Sequence, residues 1–360
     1  MRGYRPSFAC RPPLHRPEPL GAVFFERRIG CFAMRVISTV AEMEAARAGL
    51  TGTVGLVPTM GYLHGGHLSL VRQAYAANDH VIVSIFVNPA QFGPGEDLAR
   101  YPRNLDRDRR LLESEGAHAA FVPPVEEMYP PGFADWVEVH GPLTEHLEGT
   151  HRPGHFHGVT TVVTRLFSII RPHRAYFGQK DAQQLRAIKR MVADIHSADP
   201  EAFDRDVEIV AMPTVREPDG LAMSSRNVYL SPEEREAALA LPRALALARR
   251  LVMTEGETDA GAIRQAVRAA LETHHSAGPE ALVGRAGRPR LALDYVSVSD
   301  EQVLEEVETI DRPALVLLAA GAGTTRLIDN TIVVPKGMSV PDHLQSLIEA
   351  DTASLSPTGI

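Results

Sequence analysis

The sequence reads as an α/β protein, a mostly parallel sheet with covering helices followed by a smaller α+β region, and three observations predict it. From Met34 onward strand-like and helix-like segments alternate, as they do where helices wrap a parallel sheet. Val81–Val87 (VIVSIFV) is a nearly unbroken β-branched run, the pattern of a strand buried on both faces. Beyond Ser231-Pro232 the texture changes to Ala-rich helical stretches and then to three strand-like runs. We therefore expect a Rossmann-like parallel sheet over residues 34–213. A smaller α+β lid would follow over 214–360, with a mobile tail after Lys336.

The totals bound the class. A chain of 360 residues holds one large or two modest domains, and 44% hydrophobic with 23% charged residues fits a globular protein in water. The net charge of −8 argues against nucleic acid as a bulk partner. No apolar run reaches the ~18 residues a membrane helix needs, and the longest, Pro313–Ala320, is strand-sized. With only Cys10 and Cys31, no disulfide framework is indicated, and a reducing cytoplasm is the expectation. Residues 1–33 differ from the rest. Six arginines against two glutamates leave them at +4, so the other 327 residues carry −12. Their prolines spoil an amphipathic targeting helix, and the expectation is a disordered extension or a misassigned start.

Taken in order, Met34–Gly49 reads as a strand and a helix. Thr53–Leu70 (TVGLVPTMGYLHGGHLSL) is a Val- and Leu-rich strand broken by Pro58 and Gly61, with Gly65 and Gly66 where an amphipathic helix begins. A strand running through a glycine turn into a helix start is where α/β proteins hold phosphate, because free N–H groups of the first helical turn face the anion. The stretch is neither GxGxxG nor a Walker loop. It carries His64 and His67, three apart at the helix start and within reach of one phosphate. Two packed histidines or a metal pair would give the same spacing, but neither needs the glycine turn.

Asn88-Pro89-Ala90-Gln91-Phe92-Gly93 follows the buried strand at 81–87, where open α/β sheets bind ligands. Turn chemistry accounts for Asn, Pro and Gly there but not for Gln91. Asp97–Arg103 and a charged helix at Asp106–Glu115 read as a solvated face, and Phe121–Pro124 as a strand end. Leu147–His157 (LEGTHRPGHFH) holds three histidines, His151, His155 and His157, which could suggest a metal site, but no cysteine completes one. Val159–Ile170 reads as a core helix.

In Arg174–Gln184 (RAYFGQKDAQQ), Ala175–Phe177 reads as a strand, Gly178 as the turn and Asp181 as a helix start. Lys180 would then offer a point charge with three donors at the edge that carries His64 and His67. After a loop at His196–Arg205 and a strand at Val207–Met212, Val215–Asn227 (VREPDGLAMSSRN) offers hydroxyls and an arginine fork to phosphate oxygens. Ser231 and Pro232 open a long Ala-rich helix, and a second spans Ala260–Thr273. A Gly/Pro/Arg-rich loop at 276–290 and strands at Leu291–Ser299, Ala314–Ala319 and Thr325–Val334 complete the pattern. There is no internal repeat.

These stretches together resemble a known family. PTMGYLHGGH, VNPAQF, DLARYPR, LEGTHRPGHF, FGQKDAQQ, AMSSRN and TTRLIDN resemble signature segments of the pantothenate synthetase (pantoate–β-alanine ligase) family, a branch of the HxGH nucleotidylyltransferase superfamily. The likeness runs from about Met34 to Val334. It implies condensation of (R)-pantoate with β-alanine through pantoyl adenylate, giving pantothenate, AMP and pyrophosphate. His64, His67 and Lys180 would be catalytic. ATP would lie on Met60-Gly61-Tyr62-Leu63-His64-Gly65-Gly66-His67, Gly178-Gln179-Lys180-Asp181, the backbone of Val215, and Met223-Ser224-Ser225-Arg226. Pantoate and β-alanine would meet Gln91, Gln184, Asn88 and Arg152, with Tyr101 a lid residue and Leu147–His157 a loop over the site.

Gln179 stands where the family usually has glutamate. The likeness also implies Mg²⁺ carried mainly by ATP phosphates with no protein metal site, a cytoplasmic homodimer, and no nucleic-acid or membrane partner. Competing readings are a nucleotidyl transferase, a non-catalytic nucleotide sensor and a His-rich metalloprotein. The first lacks VNPAQF with FGQKDAQQ, and the second would have lost Lys180 or the histidines.

Overall fold

The computed structural model of the chain describes residues 34–203, 206–273 and 291–355. The expected extension at 1–33, the loop at 276–290, residues 204–205 and the end of the tail lie outside the described residues.

The order begins β1 (Arg35–Ile37), α1 (Val40–Ala48), β2 (Val54–Thr59), α2 (Gly65–Ala77), β3 (His80–Ile85), α3 (Leu105–Ser114) and β4 (Ala119–Phe121). Three short helices follow, α4 (Val125–Met128), α5 (Pro142–Glu145) and α6 (Glu148–His151). The long α7 (His155–Ile170), β5 (Arg174–Gly178), α8 (Ala182–Ala198) and β6 (Glu208–Met212) come next. These six strands form one parallel sheet in the order β1-β4-β3-β2-β5-β6. From β2 the chain moves outward one way through β3 and β4, then returns to place β5 on β2's other side. The sheet therefore has its switch point between β2 and β5, which pair at Gly55↔Arg174 and Leu56↔Ala175.

Strand alternation sorts the two faces. Val54, Leu56 and Ile82 pack with α1, α7 and α8, whereas Val57, Val81 and Val83 pack with α2 and α3. Val81–Ser84 are all buried, as the unbroken run at 81–87 predicts.

The second part comprises α9 (Pro232–Ala238), α10 (Ala240–Arg249), α11 (Ala260–Thr273), β7 (Leu291–Asp300), β8 (Ala314–Ala322), β9 (Thr325–Val333) and α12 (Asp342–Ser354). Its strands form an antiparallel sheet in the order β7-β8-β9. Val296, Val298, Val316 and Leu318 on one face meet α10 and α11. On the other face Tyr295, Leu315 and Leu317 meet Ala182 of α8 and Leu344, Leu347 and Ile348 of α12.

Four expectations change. The tail after Lys336 is not mobile up to Leu355, because α12 buries Leu344, Leu347 and Ile348 on the antiparallel sheet. The long helix after Ser231 is divided into α9, α10 and a π-helical turn at Arg250–Glu255, although Ser231 and Glu234 do form the reciprocal cap that opens it. The loop expected from His196 begins only after Ala198, where α8 ends. The face of α3 is not wholly solvated, since Asp108 is 1% exposed and Leu112 is fully buried.

Candidate active site

The turn after β2 is held by its backbone. Gly61 and Tyr62 both have positive φ, at 80° and 51°. A side chain at Gly61 would also place its Cβ 2.9 Å from Ile85. Asp108 reaches in from α3 and accepts from the Tyr62 N–H at 2.7 Å and the Leu63 N–H at 2.8 Å. Leu63 itself is core, fully buried, so only its backbone belongs to the turn.

At the start of α2 the two histidines form a reciprocal cap. His64 Nδ1 accepts from the Gly66 N–H at 3.2 Å and His67 Nδ1 accepts from the His64 N–H at 3.3 Å, with ring centroids 4.0 Å apart. Because each Nδ1 is an acceptor, each neutral ring carries its proton on Nε2. Burial lowers the His64 pKa to about 4, with the Lys180 charge adding to the effect. Burial, then His64 and then Lys180 hold His67 well below its ordinary value. Before any anion arrives, the pair is two neutral donors.

Because β2 and β5 are neighbours, the turn after β5 lies beside the turn after β2. Lys180 and Asp181 line the same cleft as His64 and His67. Gln179 does not. Its amide is 3% exposed and turned to the antiparallel sheet, donating to Asn330 Oδ1 at 3.0 Å and accepting from Arg186 at 3.0 Å. Asn330 also donates to the Gln179 and Lys180 carbonyls at 3.0 and 2.9 Å, which fixes the backbone of the lysine turn. One residue apart on α8, Gln183 and Gln184 point differently. Gln183 is buried and binds the Leu143 and His146 carbonyls and the Glu148 N–H, while Gln184 lines the cleft.

The Val215–Asn227 segment closes the third side. Val215, Met223, Ser224, Ser225 and Arg226 line the cleft, and Ser225 donates to the Tyr62 carbonyl at 3.3 Å, tying this segment to the first turn. Met223 sulfur would lie 3.1 Å from a Cβ at Gly65, so the bare glycine lets the segment sit down on the helix start. Behind Val215, Arg216 forms a bidentate pair with Asp329 of β9 at 2.7 and 3.0 Å, both side chains at most 2% exposed.

Gln91 arrives by a different route. Asn88 is 1% exposed and donates to Gln91 Oε1 at 3.1 Å and to the Gly158 carbonyl at 3.0 Å. Its own Oδ1 accepts from Tyr129 and from the Ala90 N–H. Asn88 thus orients Gln91, whose Nε2 is left on the side of Met60 at 3.4 Å. The approach depends on Gly158 in α7, where a Cβ would run into the Ala90 carbonyl. Next to Gln91, Pro58, Phe86, Val159, Val162, Val163 and Leu166 form an apolar inner wall.

Arg152 lines the cleft, but its fork is already engaged by Glu96, His155 and the Gln91 carbonyl. Tyr101 is 5% exposed and packs edge-on against Phe92 under Arg226. The loop expected at Leu147–His157 is partly helical, with α6 covering Glu148–His151 and α7 starting at His155.

Sequence reasoning missed Asp108, Gly158, Asn330 and the Arg216–Asp329 pair. None has a local signature.

The cleft encloses about 230 Å³ behind an open mouth. Among the described residues no group of three or more His, Cys, Asp or Glu could hold a metal ion, and no helix is long and apolar enough to cross a membrane.

Comparison with known proteins identifies the family. The family model described as pantoate-beta-alanine ligase matches residues 35–332. A pantothenate synthetase of Roseiflexus sp. (strain RS-1) is 56% identical over 300 residues, covering 83% of this chain and 99% of the relative. One from Thermotoga neapolitana is 53% identical over 304 residues, with 83% and 100% covered. The crystal structure of the Thermus thermophilus enzyme superposes with a TM-score of 0.74 at 50% identity, covering 84% of this chain and all of that one. A Francisella tularensis pantoate-beta-alanine ligase, complexed with "beta-gamma ATP" and β-alanine, gives 0.64 at 31% identity, with 83% and 98% covered. The chain belongs to the pantoate–β-alanine ligase (pantothenate synthetase) family.

Proposed function

We propose that this cleft carries the ATP-dependent condensation of pantoate with β-alanine as two successive displacements, with the roles divided as follows. In the first, a pantoate carboxylate oxygen attacks the α-phosphorus of ATP. The new P–O bond forms as the bond to the bridging oxygen breaks, and pyrophosphate leaves. In the second, the β-alanine amine attacks the acyl carbon of pantoyl adenylate, loses a proton, and expels AMP.

The first step brings an anion onto a polyanion, so donors aimed at the phosphates must stabilise charge as it builds. His64 and His67 donate through Nε2–H, Lys180 supplies a point charge, and Ser224, Ser225 and Arg226 supply hydroxyls and a fork. Neutral histidines suit a site that already holds Lys180, because they add donors without adding cation repulsion. Gln91 and Gln184 orient pantoate, whose gem-dimethyl carbon fits the wall of Pro58, Phe86 and Val159–Leu166.

Mg²⁺ would be held mainly by the ATP phosphates, with Asp181 of the cleft as a protein carboxylate beside them, and would neutralise phosphate charge. The antiparallel sheet and its helices, 214–355, act as the outer wall over the sheet of 34–213. By likeness to its family the enzyme works as a cytoplasmic homodimer, which light scattering at twice 39.2 kDa would test.

The observation that carries the site assignment is the meeting of three sequence-distant segments, the His64–His67 turn, the Lys180 turn and Met223–Arg226, at the switch between β2 and β5. The test is pantoate-dependent exchange of labelled pyrophosphate into ATP without β-alanine. Wild type should exchange, and Lys180→Ala should lose about 10²–10³ of the rate. Exchange in the absence of pantoate, or an unaffected Lys180→Ala, would refute the assignment.

A further inference from the structure

Two arginines that line the cleft, Arg152 and Arg226, are paired to consecutive carboxylates of one segment. Asp97 accepts from Arg226 Nε at 2.8 Å and Nη2 at 2.9 Å. Glu96 accepts from Arg152 Nε at 2.9 Å and Nη2 at 2.8 Å. Both are fork-to-fork pairs in partly buried surroundings, the geometry that fixes a guanidinium plane and not only its charge. Burial pushes both carboxyls up, but the arginine bonds and charges outweigh it, so both lie below the usual carboxylate range.

The two pairs leave different edges over. With Nε and Nη2 of Arg226 taken by Asp97, Nη1 is the edge left for a phosphate, and the Tyr101 ring lies 5.8 Å from the guanidinium carbon. Arg152 is used on every edge. Nη1 meets His155 Nε2 at 3.1 Å, and Nη2 also donates to the Gln91 carbonyl at 3.4 Å. His155 Nδ1 in turn meets that same carbonyl at 2.9 Å. Arg152 therefore holds the backbone of Gln91, and its ligand contact is replaced by a supporting one. The segment is itself tied down: the Glu96 N–H bonds the Gly93 carbonyl, and Tyr229 donates to the Arg100 carbonyl at 2.6 Å.

We propose that Glu96 and Asp97 are a pair of positioning residues, Asp97 aiming Arg226 at the ATP phosphates and Glu96 fixing Arg152, His155 and Gln91 on the pantoate side. Neither touches substrate. Their adjacency in the chain lets a single segment serve both substrate sites. The inference rests on the site assignment above.

The test is steady-state kinetics of Asp97→Asn and Glu96→Gln with each of the three substrates varied, alongside thermal melts and Arg226→Ala. Asp97→Asn should raise KM for ATP roughly tenfold and leave KM for pantoate within about twofold. Glu96→Gln should do the reverse. A merely structural segment would instead move both constants together, or lower the melting temperature with neither moved, and either result overturns the proposal. Should a carboxamide variant fail to fold, Arg226→Lys and Arg152→Lys break the fork while keeping the charge and must give the same split. If Arg226→Ala leaves KM for ATP unchanged, the site assignment itself is wrong. If Arg226→Ala raises it and Asp97→Asn does not, only the positioning role fails.

Discussion

The two sheets of this molecule do different work with opposite kinds of residue. At the carboxyl edge of the parallel sheet, His64, His67 and Lys180 are carried by the turns after β2 and β5, the first of them shaped by Gly61 at positive φ. On the antiparallel sheet, Asp329 and Asn330 do not line the cleft that those three share, yet they hold the backbone behind Val215 and the carbonyls of the lysine turn. The first region supplies chemistry on a frame, and the second supplies the frame. A mutation should reveal which region it hits by whether turnover or stability falls first.

The largest expected effect is on stability. Asp329→Ala removes the bidentate partner of Arg216, whose side chain is 2% exposed, and leaves it Asp351 at 3.8 Å, so unfolding free energy should fall by about 3–5 kcal/mol. The protein that stays folded should keep most of its turnover, and denaturant titration beside active-site titration would show it. His67→Ala should do the opposite. Loss of one phosphate donor lowers kcat by about 10²–10³, or roughly 2.7–4 kcal/mol in the barrier, with a smaller stability loss of about 1 kcal/mol from the reciprocal cap. Equal losses of stability in both variants would erase the distinction between the two regions.

Gly158→Ala tests a place where frame and chemistry meet. Its Cβ must displace the Ala90–Gln91 backbone, so about 1–3 kcal/mol of stability should go together with a rise in KM for pantoate and none for ATP.

The smallest and broadest effect is on pH. His64 and His155 have pKa values near 4 in the folded chain, chiefly through burial, and His67 is also lowered. In the unfolded chain these histidines bind protons from about 6.5 downward. The unfolded state therefore takes up more protons between roughly pH 6.5 and 4, and stability contributed by the three is complete above 6.5 and is lost as pH falls through that window. Denaturation at pH 7.5 and 5 should show this, and His155→Gln should flatten part of the slope. A wild-type stability flat across the window would remove the argument for neutral donors.

Much of the fold was legible because its signals are local. The strand at 81–87, the glycine turn before α2, the Ser231 cap and the three C-terminal strands depend on spacing and on residues that favour one backbone conformation. The errors fall where a segment's state is set by what it packs on. After Lys336, Leu344, Leu347 and Ile348 stand at the i, i+3, i+4 spacing of one helix face, but only the packing shows that the antiparallel sheet buries it. Asp108 looks like any other charge of α3 until β2 brings Tyr62 and Leu63 to it. Arg152 carries the charge a substrate carboxylate would want, but Glu96, distant in sequence, already occupies it.

By itself, then, the sequence determined the family, the α/β class and the three stretches from which ligand groups come, because a phosphate turn needs particular residues at fixed short spacing. Only the tertiary structure decided which of those groups face the ligands and which are spent on each other. Gln183 and Gln184, Arg152 and Arg226, and Asn88 and Gln91 are chemically alike within each pair. They are told apart by partners brought from remote parts of the chain, and hydrogen-bond capacity used on one of those partners is no longer available to a substrate.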